Sequence, residues 1–196
     1  MPTSPSEFSG REAAPSSAPA AIPEAVLLRR ARAGEEAAFE ALVRAHQDRA
    51  YLTALRLTGN RQDAQDSVQE AFLQAWRSLP RFRGDSSFST WLTRIVINRC
   101  LNLSRSARAL PAELDDGVMG QEPGADDLAV GAQRQDAVRE AVLGLPFDQR
   151  AALVLHTFAG HTHAEVGHIL GISETAAKVR VHRARRALFA GLQEWR

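Results

Sequence analysis

The sequence predicts an all-α protein built as two small helical domains joined by a flexible acidic linker. Three observations carry that reading: apolar residues recur at helical spacing in two separate stretches, a Pro/Gly-rich acidic segment divides them, and a short helix, a glycine turn and a basic helix follow one another near the C-terminus. The predicted layout is a disordered tail at 1–23, a first domain at 24–104, the linker at 105–132 and a second domain at 133–196.

A chain of 196 residues suits two small domains better than one compact unit. Charged residues make up 24% and hydrophobic ones 44%, a composition of folded, soluble segments. Net charge is only +1, so any affinity for nucleic acid must come from charge segregated along the chain. The single cysteine, Cys100, excludes an internal disulfide framework and fits a reducing cytosol. The N-terminal stretch lacks a basic region followed by an apolar core, so it does not read as a signal peptide, and no apolar run reaches membrane-spanning length. A cytoplasmic protein with no membrane insertion is expected.

Pro2, Pro5, Pro15 and Pro19 sit among small polar residues that cannot bury enough surface to order the tail. In the first domain Ala38, Leu42, Leu52, Leu55, Val68, Phe72, Trp76, Trp91, Leu92, Ile95 and Val96 form the expected core. Within it, the stretch from Asp63 to Trp76 turns Val68, Phe72, Ala75 and Trp76 inward and Asp66, Gln69, Glu70 and Leu73 outward. A polar face with one exposed leucine suits a protein partner, although composition alone favours an ordinary solvated face. A second stretch, Phe82 to Asn102, places the loop Arg83-Gly84-Asp85-Ser86-Ser87 between Phe82 and Phe88 and then runs into a helix. On that helix Arg94, Asn98 and Asn102 repeat every four residues and share a face. Asparagine pairs with base edges, so this face can read an unstacked single strand; a polar face over a core that takes both phenylalanines is the competing reading.

The linker is broken by Pro111, Gly117, Gly120, Pro123 and Gly124 and made acidic by Glu113, Asp115, Asp116, Glu122, Asp126 and Asp127. Helical spacing returns with Val138, Val142, Leu145, Leu153, Val154, Leu155 and Phe158. Val166, Ile169 and Leu170 then give a short helix its inward face, Gly171 permits a sharp turn and Ser173 is a good N-cap. The following helix buries Ala177, Val181, Ala184 and Leu188, leaving Lys178, Arg180, Arg183, Arg185 and Arg186 on its other faces. Such arginines alone describe a solvated helix. Their place after a turn glycine and a capping serine describes a helix laid in a DNA major groove.

His156, His161, His163 and His168 lack the cysteine or carboxylate company of a metal site and read as surface histidines near DNA. Cys100 falls on the apolar side of its helix, as a structural thiol would. With no phosphate-cradling loop, no metal-ligand pair and no nucleophile with a partnered base, the sequence predicts no enzyme and no cofactor.

Taken together, residues 24 to 192 resemble a bacterial RNA polymerase sigma factor of the sigma-70 family, in the small two-domain extracytoplasmic function (ECF) subfamily. Residues 82–98, Phe-Arg-Gly-Asp-Ser-Ser-Phe-Ser-Thr-Trp-Leu-Thr-Arg-Ile-Val-Ile-Asn, are similar to the part of sigma domain 2 that melts and reads the −10 element. Asp66 to Trp76 resembles the helix that docks on the β′ clamp coiled coil of core RNA polymerase, and residues 145–190 resemble domain 4, which reads the −35 duplex and sits on the β flap.

The resemblance implies roles residue by residue. Asp66, Gln69, Glu70 and Leu73 would contact polymerase. Arg83, Ser86, Ser87, Phe88, Arg94, Asn98 and Asn102 would serve the melted −10 strand, the loop accepting a flipped base. Thr175, Lys178, Arg180, His182, Arg183, Arg185 and Arg186 would serve the −35 duplex. The linker would run through the polymerase's template and RNA channels, and a cognate anti-sigma factor would hold the protein inactive. Thr175, Ala176 and Val179 stand where glycine, threonine and serine are frequent, and His163 where an aromatic is frequent, which leaves the −35 base preference open. A conventional helix-turn-helix regulator would leave 66–76 and 82–102 without a task, and a protein-only adaptor would need neither asparagine.

Overall fold

The structure is a computed structural model that describes residues 22–109 and 136–192; the tail through residue 21 and the linker from residue 110 lie outside the described residues. All regular structure among the described residues is helical. The order is α1 (Glu24–Arg32), α2 (Glu36–Thr58), α3 (Arg61–Ser78), a single 3₁₀ turn (Leu79–Arg81) and α4 (Phe88–Ala109), followed by α5 (136–143), α6 (Phe147–Leu153), a π turn (Val154–Phe158), α7 (His163–Leu170) and α8 (Glu174–Gly191).

Local chemistry sets the joints. Gly59 closes α2 in the left-handed conformation at φ 74°, donating its N–H to the Leu55 carbonyl. Asn60 starts α3 at once, its side chain accepting from the amides of Gln62 and Asp63. The α2–α3 hairpin therefore needs only two joint residues. Helix α4 continues to Ala109, past the expected domain end at Ser104, because no helix breaker intervenes before Pro111.

Leu42, Leu57, Val68, Phe72, Leu79, Phe88, Leu92 and Val96 fill the space between α2, α3 and α4. Three expected core positions differ. Leu52 is exposed because the helical register of α2 gives the inward places to Ala50, Thr53, Ala54 and Leu57. Val138 and Phe158 are also exposed, lining a cleft of about 330 Å³ between the domains where the Arg56 guanidinium lies 4.8 Å over the Phe158 ring.

The cores themselves are not separate. The main apolar cluster passes from α2–α4 into Phe147, Val154, Leu155, Val166, Ile169 and Val181, leaving only Val142, Leu145, Leu153 and Ala184 as a private cluster of the second domain. Backbone-directed arginines stitch the junction. Arg49 donates to the Ala159 carbonyl at 2.8 Å, Arg139 to that of Gly59, and the buried Arg150 to Leu57 of the first domain and to Leu143 and Leu145 of the second.

Candidate nucleic-acid interface

On α3 the outward residues are as the pattern requires: Asp66, Gln69, Glu70 and Leu73 are exposed, Leu73 at 52%. Beside them α2 and α3 enclose a groove of about 960 Å³ floored by Phe39, Val43, Tyr51, Val68, Phe72 and Trp76 and rimmed by Glu36, Glu40 and Asp48. An apolar floor with an acidic rim accommodates an amphipathic helix with basic edges. Glu70 also holds Arg99 of α4 at 3.2 Å, and Gln74 accepts from the same arginine at 3.0 Å, so the α3 face is tied to the helix behind it.

The loop ahead of α4 divides its residues between two tasks. Phe88 is 1% exposed and packs against Phe82, Trp91 and His46, so it cannot stack on a base. Its place in the core is what fixes the loop. Ser87 caps α4, accepting the Thr90 amide at 3.1 Å and donating to the Thr90 hydroxyl at 2.9 Å. Arg83 and Gly84 are exposed and Ser86 is half-buried, with Gly84 at φ 83°. From this loop Arg94, Asn98 and Asn102 run exposed along one side of α4.

Cys100 lies on the opposite, buried side of α4, and burial pushes its thiol up to about 11. At about pH 8 only roughly a thousandth of it would be thiolate. Native protein should therefore react with iodoacetamide only at the rate of unfolding, and labelling as fast as free cysteine would contradict this placement.

In the second domain Thr162 and Glu165 form a reciprocal capping box at the start of α7, a Thr-x-x-Glu signal legible in the sequence. Gly171 makes the turn at φ 67°, and Ser173 caps α8 by accepting the Ala176 amide at 3.1 Å. Ala177, Val181 and Ala184 are buried; Thr175, Lys178, His182, Arg183, Arg185 and Arg186 are exposed. Arg180 differs, being half-buried with its Nε 3.3 Å from the Asp148 carboxylate of α6, which ties the helix to its own domain. The histidines also differ from four surface groups. His161 is 8% exposed at the domain junction, 3.5 Å from Arg49 and 3.8 Å from Glu165, and burial together with Arg49 lowers its pKa. No group of three or more His, Cys, Asp or Glu able to hold a metal occurs among the described residues.

The two halves match two known families: sigma-70 region 2 over residues 42–109 and sigma-70 region 4 over residues 135–188. Over 84% of its length the chain is 38% identical to the ECF RNA polymerase sigma factor SigM of Mycobacterium tuberculosis, covering 82% of that protein. The chain belongs to the ECF sigma factors. This sigma factor is also 31% identical to SigW of Bacillus subtilis over 85% of its own length and 95% of that protein's. Among solved structures it is similar to CnrH in complex with the cytosolic domain of CnrY, with TM-score 0.67, 27% identity and coverage of 87% of this chain and 97% of that one. It is likewise similar to the sigma factor RpoE of Bartonella quintana in complex with the anti-sigma factor NepR, with TM-score 0.56, 25% identity and coverage of 86% and 93%. As a sigma factor it acts in transcription initiation, binds DNA and catalyses nothing itself. No helix among the described residues is long and apolar enough to cross a membrane.

Proposed function

We propose that this sigma factor joins core RNA polymerase through the exposed face of α3, captures the melted −10 strand with the 83–86 loop and the Arg94–Asn98–Asn102 row, and lays α8 in the −35 duplex. The observation that carries the assignment is the exposed row on α4: two asparagines and an arginine in line, in the same domain as an apolar groove between α2 and α3. A duplex-only regulator has no use for that row, whereas an unstacked strand offers it base edges and faces. The β′ clamp coiled coil suits the α2–α3 groove and the β flap the second domain, the linker following the polymerase channels between them. Because similar sigma factors have been solved with CnrY and NepR bound, a cognate anti-sigma factor in the cytoplasm is the expected regulator here.

In vitro transcription of a fragmented genomic library with purified core polymerase tests this directly. New start sites sharing two motifs at one spacing are expected; DNA binding without new starts would point to a conventional regulator. Asn98→Ala should cost about 1–3 kcal/mol of −10 recognition, roughly five- to 150-fold in open-complex formation, with polymerase affinity unchanged. Equal loss of both would sink the role given to Asn98.

A further inference from the structure

Helix α1 precedes the residues matched to sigma-70 region 2, yet its first residue is linked by a chain of contacts to the loop ahead of α4. The Glu24 carboxylate meets the Nε2 of His46 on α2 at 2.9 Å. A carboxylate only accepts, so that nitrogen carries a hydrogen and donates. The His46 side chain is 13% exposed, and its ring meets the Phe88 ring edge-to-face, with centroids 5.2 Å apart and planes inclined by 64°. Phe88 in turn lies 6.4 Å from Phe82 and 5.8 Å from Trp91, and Phe82 and Trp91 are 4.9 Å apart. Phe82 precedes the loop and Phe88 follows it, so one aromatic cluster clamps both ends of residues 83–87.

We propose that Glu24 and His46 are positioning residues for the −10 loop: Glu24 orients the His46 ring, and the ring seats Phe88, which fixes where Arg83 to Ser86 stand. Each residue also has a purely local use, since an acid suits the first turn of α1 and a histidine can fill space beside a phenylalanine. Neither local use requires the two to meet across 22 residues of chain. Their contact ends on Phe88, which is buried next to Ser87, the cap of α4, so a shift of that ring moves the cap and the loop together. The support is firm: Ala31 of α1 is buried, Leu27 and Leu28 pack on the core, and α1 also touches the 3₁₀ turn that leads into the loop. Flipping a base costs a few kcal/mol, and a pocket already in place when the strand arrives returns most of it.

This role rests on the reading of residues 83–86 as the pocket for a −10 base, and two readouts on the full-length chain separate them. The first is amide exchange in the free protein at Phe82, Thr90 and Trp91, whose N–H groups bond to Leu79 and Ser87. The second is open-complex formation with core polymerase on a promoter recovered from the genomic library. Loss of one aromatic pair in His46→Ala should speed exchange at those three amides roughly two- to tenfold, with Val68 and Phe72 of α3 unchanged. Open-complex formation should fall about tenfold at constant polymerase affinity, within the loss that a displacement of about 1 Å causes. His46→Phe keeps a ring but no donor; it and Glu24→Ala should share a smaller effect that does not add in the double variant. Glu24→Gln still accepts from Nε2 and should keep wild-type values in both readouts. Unchanged exchange in His46→Ala, or exchange raised equally throughout the domain, overturns the positioning role and leaves the −10 reading standing. Faster local exchange with wild-type open-complex formation, or no promoter recovered with the wild type, overturns both.

Discussion

Replacing Gly167 by valine should disable the second domain and loosen the core that it shares with the first. Gly167 lies inside α7, where glycine is about 1 kcal/mol worse than alanine, so its presence needs a reason. The reason is the turn. A Cβ at Gly167 would stand 2.8 Å from the Ile172 carbonyl oxygen, 3.2 Å from the Glu174 nitrogen and 3.3 Å from the Ser173 carbonyl carbon, all main-chain atoms of the connection into α8. The Gly167 carbonyl also accepts the amides of Gly171 and Ile172, so the turn cannot retreat without losing its own anchors. Overpacking of this kind costs about 1–3 kcal/mol for a methyl group, and valine adds a branched side chain that α7 holds poorly. Gly167→Ala should lose part of that range, offset by its better helix propensity, and Gly167→Val more than all of it. Duplex binding by the full-length protein should fall at least tenfold in Gly167→Val, with core polymerase binding retained. Gly191→Ala, whose Cβ meets nothing within 4 Å, is the control. Wild-type melting and duplex affinity in Gly167→Val would refute the clash.

The same region marks what the sequence made legible and what it withheld. Gly171 and Ser173 were readable because each acts on its own neighbours: a left-handed turn and an N-cap are local events written in residue type. Periodicity likewise placed Val166, Ile169, Ala177, Val181 and Ala184 inside, and Asp66, Gln69, Glu70, Leu73, Arg94, Asn98 and Asn102 outside. Gly167 was not readable in this way, since its demand comes from atoms that reach it only once the turn has folded. Phe88 and Ser87 stayed ambiguous for a related cause. A phenylalanine at a loop edge fits base stacking or a core equally, and only the packing of Phe82, Trp91 and His46 decides for the core. What periodicity cannot express at all is which domain an apolar face meets. Val154 and Leu155 read as the core of the second domain, yet they continue the core of the first.

That shared core makes Arg150→Met the second substitution with a large expected effect. Arg150 is 9% exposed, and its guanidinium gives Nη1 to the Leu57 carbonyl across the junction and Nη2 to Leu143 and Leu145 at 2.7 and 3.1 Å. Leu57 lies two residues before Gly59, and the Leu143 side chain sits directly on the space that a Cβ at Gly59 would occupy, so one arginine holds both walls of the joint. Methionine fills similar volume but donates nothing, leaving three carbonyls to find water or remain unpaired at about 1–3 kcal/mol each. Relief from burying a charge offsets part of this. A net loss of about 2–4 kcal/mol follows, or roughly 5–15 °C in Tm for a chain of this size. Because the lost bonds run both within the second domain and across to the first, cooperativity should fall along with stability. Calorimetry is expected to resolve two transitions in Arg150→Met where the wild type has one, with Trp76 and Trp91 fluorescence following the first domain alone. A single transition at the wild-type temperature would mean that the domains are joined by their apolar faces and that the arginine is incidental. A single transition lowered by the full amount would mean that the junction and the second domain form one folding unit with the first, with Arg150 holding that unit together throughout.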